Sequence, residues 1–512
     1  MPPTPRYCAS MRSHGIRTSR GGPLLAAVVL AACAARSRPG TAVAVPAGPS
    51  PADRLRAAVV AVRVTGQEWN WKTPWAKQSP WTRSLTGLVV PGPRILIASS
   101  AVGNHILIEV QKLGLETRTP ARLARVDHEG PLALLEVDDP TFWKGLSPLP
   151  LAERVPLAGE VTVHRWPRVG QIESSPATVR QVRVGRHAFS RVSLLTLDLS
   201  SSLEGAGDSE VVVADGKVVA LTTGKSGDTL SGIASPVLRQ FLVDATEGSY
   251  RGFPRAGVAW QDLGNPALRA SLGLAPGEGG IRLTRILPHG SGSGVLQEGD
   301  VVLAVDGIVL DETGQFEHPL YGKMSFPLLF TEGHHPGDAL PLRILRNGER
   351  RTVTIELRAM RPEEDRVPPY IFGRGPEYAV YGGLVFQDLS APYLATWGDW
   401  PRRAPPHLLI AYDRDGAEPS PERPRIVLLT SVLPDAANLG YQDLRDLIVS
   451  GVNGSKVGDL QDLRRAFASP RGGFQVVEFR PGQGPGRIVL DAAEVEAAAA
   501  RIRAVYGVPA SP

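Results

Sequence analysis

Short apolar runs separated by Gly-, Pro- or polar-rich turns fill the chain between residues 57 and 245. These runs are Ala58–Val64, Leu88–Val90, Ile95–Ala98, Ile106–Val110, Leu132–Val137, Val161–His164, Leu194–Leu197, Val211–Val213 and Val218–Leu221. A helical period first appears at Pro236–Asp244. Many short strands in one block of about 190 residues predict an all-β barrel or a pair of sandwiches.

The pattern changes near Gly252. Residues 295–307 read as a helix end, a Gly-Asp turn and a strand that stops at the tight Asp306-Gly307 reversal. A related string, residues 444–454, ends in Asn453-Gly454, 147 residues further on. The repeat predicts two copies of one module, joined near Arg361–Pro369 and followed by a helix at Ala492–Val505.

Composition narrows the classes of protein. The length of 512 residues predicts about three domains. A content of 42% hydrophobic and 21% charged residues is typical of neither a disordered chain nor a membrane protein with several spans. Four arginines and no acid lie in residues 1–33, which leaves 52 basic against 51 acidic residues elsewhere. No basic excess remains for nucleic acid. The two cysteines, Cys8 and Cys33, both precede the predicted strands, so we expect no disulfide framework.

The N-terminal 33 residues predict a secretory signal. A basic region precedes the apolar run Pro23–Ala32, which is too short to span a membrane and stops at Cys33. Leu30-Ala-Ala-Cys33 resembles a bacterial lipobox, which would acylate Cys33 and anchor the chain to a membrane on the periplasmic side of a bacterial envelope. The alternative is an ordinary signal with a chance cysteine, and translation begins at Met1 or Met11. Residues 34–56 are expected to form a flexible tether.

Residues 299–307, Gly-Asp-Val-Val-Leu-Ala-Val-Asp-Gly, resemble the signature of PDZ domains. A β-rich domain followed by two such modules resembles the HtrA/Deg serine proteases, and residues 142–148, 257–269 and 432–441 resemble a plant Deg branch with an unusual second PDZ domain. The resemblance implies a mainly β fold with some α: a trypsin-like double β-barrel at 57–245, then PDZ modules at 250–360 and 370–508.

The same resemblance locates a catalytic triad whose three positions are all replaced here. Ser100 stands at the histidine position, Pro131 at the aspartate position and Gly207 at the nucleophile position. A serine hydroxyl needs an adjacent imidazole and an orienting carboxylate to become a nucleophile. Because none of these groups is present, we expect no catalytic residue and a first domain without protease activity.

Ser209 is the one alternative nucleophile, because Gly207-Asp-Ser209 also resembles the Gly-Asp-Ser of trypsin-like enzymes. The spacing that the family has before the glycine corresponding to Gly216 favours Gly207 over Ser209 as the nucleophile position. Glu210 also replaces the glycine that lets the chain fold tightly after the nucleophile. His105 and His128 are the candidate bases, and both lie away from the position that the family uses.

Peptide binding is expected of the PDZ modules. A PDZ domain adds a peptide as a strand to an open sheet edge and holds its carboxylate with backbone N–H groups. By resemblance the residues are Ala256, Gly257 and Val258 in the first module and Gly382, Gly383 and Leu384 in the second; the alternative is that these glycines only form tight turns.

Four early tryptophans, at positions 69, 71, 75 and 81, are expected at a trimer interface by resemblance, or else as a cap on the first barrel.

His334-His335 lacks a second ligand pair, so a loop is favoured over a metal site. No cofactor fingerprint occurs, and we expect no cofactor and no metal.

Three functions are open. The first is a proteolytically inactive, lipid-anchored HtrA/Deg-like envelope protein that binds peptides or unfolded chains as an adaptor, chaperone-like protein or scaffold. The second is an active serine endopeptidase that uses Ser209. The third is a structural subunit that assembles with an active paralogue. Fold analogy alone does not choose among them.

Overall fold

The computed structural model describes residues 49–166, 171–246, 250–359, 361–416 and 422–509. It begins with a short helix, α1 (Pro51–Ala58), where the sequence predicts the end of the tether. Ser50 caps this helix, since its hydroxyl accepts a hydrogen bond from the amide of Asp53 at 3.2 Å, and proline is favourable in a first turn. The predicted signal, Cys33 and residues 34–48 of the tether lie outside the described residues.

Six antiparallel strands close the first barrel, in the order β1-β2-β3-β6-β5-β4. They are β1 (Val59–Gly66), β2 (Trp81–Val90), β3 (Arg94–Ala98), β4 (His105–Gln111), β5 (Thr119–Asp127) and β6 (Leu132–Glu136). Alternate residues of β1 turn inward, so that Val60, Val62 and Val64 are fully buried. A barrel of this size is filled by such side chains.

A second six-stranded barrel follows, in the order β10-β11-β12-β9-β8-β7. Its elements are β7 (Glu160–Arg165), β8 (Glu173–Gly185), β9 (Leu194–Ser200), β10 (Val211–Ala214), β11 (Lys217–Ser226), β12 (Thr229–Ala234) and the helix α2 (Ser235–Thr246). Leu238 and Phe241 of α2 are fully buried, which seals one side of this barrel. The amide of Trp166 donates to Thr86 Oγ1 at 2.8 Å and so joins the two barrels.

A six-stranded sheet with a separate hairpin forms the third part of the fold. Its elements are β13 (Val258–Asp262), α3 (Pro266–Ser271), β14 (Ile281–Ile286), β15 (Val301–Val305), β16 (Ile308–Val309), β17 (Gln315–His318), β18 (Gly322–Ser325), β19 (Ala339–Arg346) and β20 (Glu349–Glu356). The order is β13-β14-β15-β19-β20, with β16 paired to β15 and β17 to β18. Asp306 and Gly307 have φ of 47° and 77°, as the reversal between β15 and β16 requires.

The fourth part has seven strands in the order β21-β22-β23-β24-β26-β27, with β25 paired to β24. Its elements are β21 (Tyr378–Tyr381), β22 (Leu384–Asp388), α4 (Ala391–Leu394), α5 (Trp400–Arg403), α6 (Pro406–Ile410), β23 (Val427–Val432), β24 (Leu447–Val452), β25 (Ser455–Lys456), α7 (Leu460–Phe467), β26 (Phe474–Phe479), β27 (Arg487–Asp491) and α8 (Ala492–Tyr506). Asn453 and Gly454 repeat the positive-φ reversal, with φ of 52° and 80°. The recurring sequence unit therefore marks equivalent hairpins in the two sheets.

The predicted mainly β fold is confirmed: strands dominate, and a double barrel precedes two further antiparallel sheets. Single-turn 3₁₀ helices lie at Ser99–Ala101, Pro140–Trp143, Phe326–Phe330, Pro362–Glu364, Ala395–Trp397 and Ala436–Asn438, and a π-helical turn lies at Ala411–Asp415. Within the described ranges, no helix is both long and apolar enough to cross a membrane.

Candidate functional site

The structure brings the three predicted triad positions together where the barrels meet. Ser100 lies in the single turn that follows β3, and Pro131 directly precedes β6. The amide of Ser99 donates to the carbonyl of Pro131 at 3.1 Å. Ser100 Oγ donates to Asp208 Oδ1 at 3.4 Å, which places the loop that carries Gly207 beside Ser100.

Gly207 leaves no room for a side chain. Its φ is 120°, and a Cβ built there would lie 2.8 Å from the backbone nitrogen of Lys225 and 2.9 Å from the carbonyl carbon of Gly224. A serine at this position would require the backbone of β11 to move.

A carboxylate of the chain itself fills the turn at Gly207. Glu210 Oε2 accepts hydrogen bonds from the amides of Gly207 at 2.8 Å and Asp208 at 2.9 Å, and it also accepts from the hydroxyl of Thr222. The Glu210 side chain is buried, with 3% of its surface exposed. In a trypsin-like enzyme the amide of the nucleophile helps to hold the developing oxyanion. Here the corresponding amide already binds a negative charge.

Ser209 is buried in the contact between the barrels. Its hydroxyl oxygen accepts from the amide of Ala98 at 2.5 Å, its own amide donates to the carbonyl of Thr222 at 3.0 Å, and none of its surface is exposed. Among the described residues no histidine makes a hydrogen bond with it. Its hydroxyl thus has a structural partner in β3.

Neither candidate base contacts Ser209. His105 Nδ1 lies 2.7 Å from the carbonyl oxygen of Val102. His128 packs against the rings of Phe372, at 4.3 Å between centroids, and Tyr370, at 5.5 Å. Burial lowers the pKa of His128 to about 4, so its ring is neutral at pH 7.

Asp208 is the group with a strongly perturbed pKa at this turn. Burial raises its pKa to about 6, the nearby Arg83 opposes that rise, and the negative charge of Glu210 adds to it. Asp208 and Glu210 both line a polar cavity of 710 Å³ between the barrels, together with Arg83, Arg165 and Trp166.

The inter-module segment, which joins the third and fourth parts of the fold, lies over the cleft beside Ser100. Phe372 contacts Phe189 at 5.1 Å and stacks on Tyr370 at 5.2 Å between ring centroids. The amide of Gly373 donates to Asn104 Oδ1 at 3.0 Å. No periodic pattern in the sequence indicates this cover, because it depends on residues up to 269 positions apart.

The early tryptophans contact the second PDZ module of the same chain. The carbonyl of Trp71 accepts from Gln387 Nε2 at 3.2 Å, and the ring of Trp75 lies 5.8 Å from that of Tyr378. Trp81 instead stays at the first barrel, where its indole N–H donates to Glu68. The expected trimer contact stays a prediction, since these contacts lie within one chain.

Ala256, Gly257 and Val258 lie at an open sheet edge. β13 starts at Val258 and is paired only with β14 within the described sheets. Gly257 has φ of 67°, and a Cβ there would lie 2.3 Å from the Cα of Gly290. A cavity of 100 Å³ beside these residues is also lined by Arg186, Arg191 and Arg255.

Gly382 and Gly383 form a two-residue turn between β21 and β22, with φ of 53° and 87°. Leu384 begins β22, which pairs with β21 on one side and β23 on the other. β21 packs against α7, where the ring of Tyr381 stacks on that of Phe467 at 4.0 Å. A strand of the chain itself therefore covers the edge on which sequence reasoning expects a peptide.

Comparisons with known proteins agree with this architecture. A family model described as a PDZ domain matches residues 367–512. The putative protease Do-like 12, mitochondrial, of Arabidopsis thaliana is 27% identical over 81% of this chain and 79% of its own length. The protease Do-like 2, chloroplastic, of the same plant is 28% identical over 88% of this chain and 74% of its own. The solved HtrA-type protease AlgW with decapeptide is 19% identical over 61% of this chain and 100% of its own, with a TM-score of 0.46.

The expected bacterial envelope location is wrong on this comparison. Several relatives are named as mitochondrial or chloroplastic, which points to an organelle. The physical reason for the error is that an arginine-containing, acid-free leader is common to secretory signals and organellar transit peptides.

Ser209→Ala tests whether this hydroxyl is structural. We expect the variant to lose about 1–3 kcal/mol of unfolding free energy, because the buried amide of Ala98 is left without an acceptor. Ser100→Ala, which removes only a 3.4 Å contact, is the matched control and should lose less than about 1 kcal/mol. Denaturant unfolding measures both. Equal stability of Ser209→Ala and the parent chain would contradict the structural role.

Asp208→Asn tests the buried carboxylate. The pKa of Asp208 in the folded chain is about 6, above the ordinary value of 3.8. Between these pH values the folded chain binds more protons than the unfolded chain, so the free energy of unfolding falls as the pH rises through this range. The variant should therefore melt a few degrees higher than the parent chain at pH 8, with a much smaller difference at pH 4. Glu116→Gln, at an exposed residue of the first barrel, should leave the melting temperature unchanged at both pH values. A gain of the same size at both pH values would contradict the raised pKa of Asp208.

Proposed function

Because the chain is of the HtrA/Deg type, with a trypsin-like double barrel and a PDZ domain, we propose that it is a noncatalytic member that binds peptides or unfolded chains. Its role would be that of an adaptor, a chaperone-like protein or a scaffold. The observation that carries the proposal is the Glu210 carboxylate on the amides of Gly207 and Asp208.

The loss of catalysis follows from the chemistry of that turn. Acyl transfer builds negative charge on the substrate oxygen, which an enzyme stabilises with preorganised N–H donors. A bound carboxylate both uses such a donor and repels the oxyanion. Gly207 adds no nucleophile, and the nearest serine hydroxyl, that of Ser209, is held by Ala98.

Peptide binding is proposed for the first PDZ module. The open edge of β13 offers backbone groups to an added strand, and within the described chain the amides of Ala256 and Gly257 donate no hydrogen bond. Arginine charge beside this loop favours a terminal carboxylate. Burial and the neighbouring Arg191 lower the pKa of Arg255 to about 10, and Glu129 and Asp365 oppose this shift.

A second candidate, a structural subunit that assembles with an active paralogue, is favoured by the second PDZ module. β21 already covers the edge of β22, so that module has its strand-binding site occupied by the same chain. The second PDZ module would then contact the paralogue through its outer surface.

A serine-directed fluorophosphonate probe tests catalysis. We expect the full chain neither to label nor to hydrolyse casein, because no imidazole reaches a serine hydroxyl at the triad positions. Trypsin serves as the positive control, and the Ser209→Ala variant should give the same blank result. Labelling that disappears in Ser209→Ala would instead favour the serine endopeptidase.

Peptide binding is tested with a pool of fluorescein-labelled decapeptides that end in a free carboxylate. Amidation of the C-terminus should weaken each binder at least about tenfold, and Arg186→Gln should weaken the free acids without affecting the amides. The control is Arg343→Gln, which changes an exposed residue of the first PDZ module that does not line the cavity. If no peptide binds the full chain, the structural subunit becomes the better explanation.

A further inference from the structure

A carboxylate without a partner lies at the end of β22. Asp388 Oδ1 is buried, and no described residue donates a hydrogen bond to it. Burial raises the pKa of Asp388 to about 7, and the nearby Arg425 only partly opposes this rise. A buried carboxylate that stays unpaired carries a desolvation cost that a cationic ligand would offset.

Asp388 lines a cavity of 470 Å³, which is within the range of ligand pockets. Acidic residues outnumber basic ones on its walls. The acidic ones are Glu363, Glu364, Glu377, Asp388 and Asp459, and the basic ones are Arg374, Arg425 and His289.

The two arginines on these walls are already engaged elsewhere. Arg425 donates to the backbone carbonyls of Asp365 at 2.6 Å and Glu363 at 2.8 Å. Arg374 pairs with Glu377 at 3.0 Å. Neither makes a hydrogen bond or an ion pair with Asp388, so the excess of negative charge around it remains.

The other walls suit the stem of a long side chain. Ile371, Leu389 and Leu460 contribute apolar surface, and Trp71 contributes an aromatic ring. Aliphatic stems of lysine and arginine pack on such surface, and their charged ends interact favourably with tryptophan and carboxylate.

The last pair of the β21–β22 ladder is Tyr378 with Gln387, so Asp388 lies one residue beyond the strand that covers β22.

We propose that this cavity, between the inter-module segment and the second PDZ module, binds an arginine or lysine side chain of a partner polypeptide. Asp388 receives the cation, and Glu377 and Asp459 strengthen the local negative potential. The walls of this cavity share no residue with the cavity beside β13.

Calorimetric titration of the full chain tests the site with acetylated, amidated Gly-Arg-Gly, Gly-Lys-Gly and Gly-Gln-Gly. We expect the arginine and lysine peptides to bind and the glutamine peptide not to. Asp388→Asn should weaken the arginine peptide at least about tenfold, because a charge-assisted hydrogen bond is lost. Asp443→Asn, which removes an exposed acid of the same module outside the cavity, should change affinity less than twofold.

Two further measurements keep the proposal falsifiable. Glu377→Gln retains Asp388 and should weaken the arginine peptide by a smaller factor, so a result is available even if Asp388→Asn fails to fold. Spermidine should not compete with the arginine peptide at equal concentration. Equal binding of the glutamine peptide, full affinity in Asp388→Asn, or displacement by spermidine would each overturn the assignment to a polypeptide side chain.

Discussion

The guanidinium of Arg191 joins three parts of the chain. It projects from the loop between β8 and β9 of the second barrel, pairs with Glu129 of the first barrel at 3.4 Å, and also pairs with Asp365 in the inter-module segment. The amide of Arg191 adds a hydrogen bond to Glu129 at 2.6 Å. All three side chains are largely withdrawn from solvent, so loss of Arg191 would leave two buried carboxylates without their cationic partner, at a cost of about 3–5 kcal/mol. The path of the inter-module segment depends on this pairing.

The cleft between the barrels is filled from two sides. On one side, Glu210 accepts hydrogen bonds from the amides of Gly207 and Asp208. On the other, Phe372, seven residues beyond the Asp365 anchor, lies against His128 and Phe189. Both fillings come from the chain itself, and both use groups that a substrate would otherwise displace or contact. The trypsin-like fold is thus retained, while side chains of the same chain occupy its cleft.

The sequence predicted what depends on local patterns. Short apolar runs between turn residues indicated the strands of both barrels. The Asp306-Gly307 and Asn453-Gly454 reversals indicated the repeated module, since such turns need residues that tolerate positive φ. Helix α1 could also have been predicted, because Ser50, Pro51 and Asp53 form a clear start signal. The contacts of Trp71 and the strand β21 could not, since they depend on pairings over 300 residues and on a four-residue strand that has no period of its own.

The two sheets that follow the barrels differ in the edges that they leave for a ligand. In the first, β13 keeps a free edge next to arginine side chains, whereas in the second, β21 completes the sheet and packs its tyrosine on α7. The backbone edge of β22 is already paired with β21 and has no hydrogen-bonding groups left for an added strand, which favours recognition through side chains at this strand. The unpaired carboxylate of Asp388, one residue past the covered edge, is where such side-chain recognition has the most to gain.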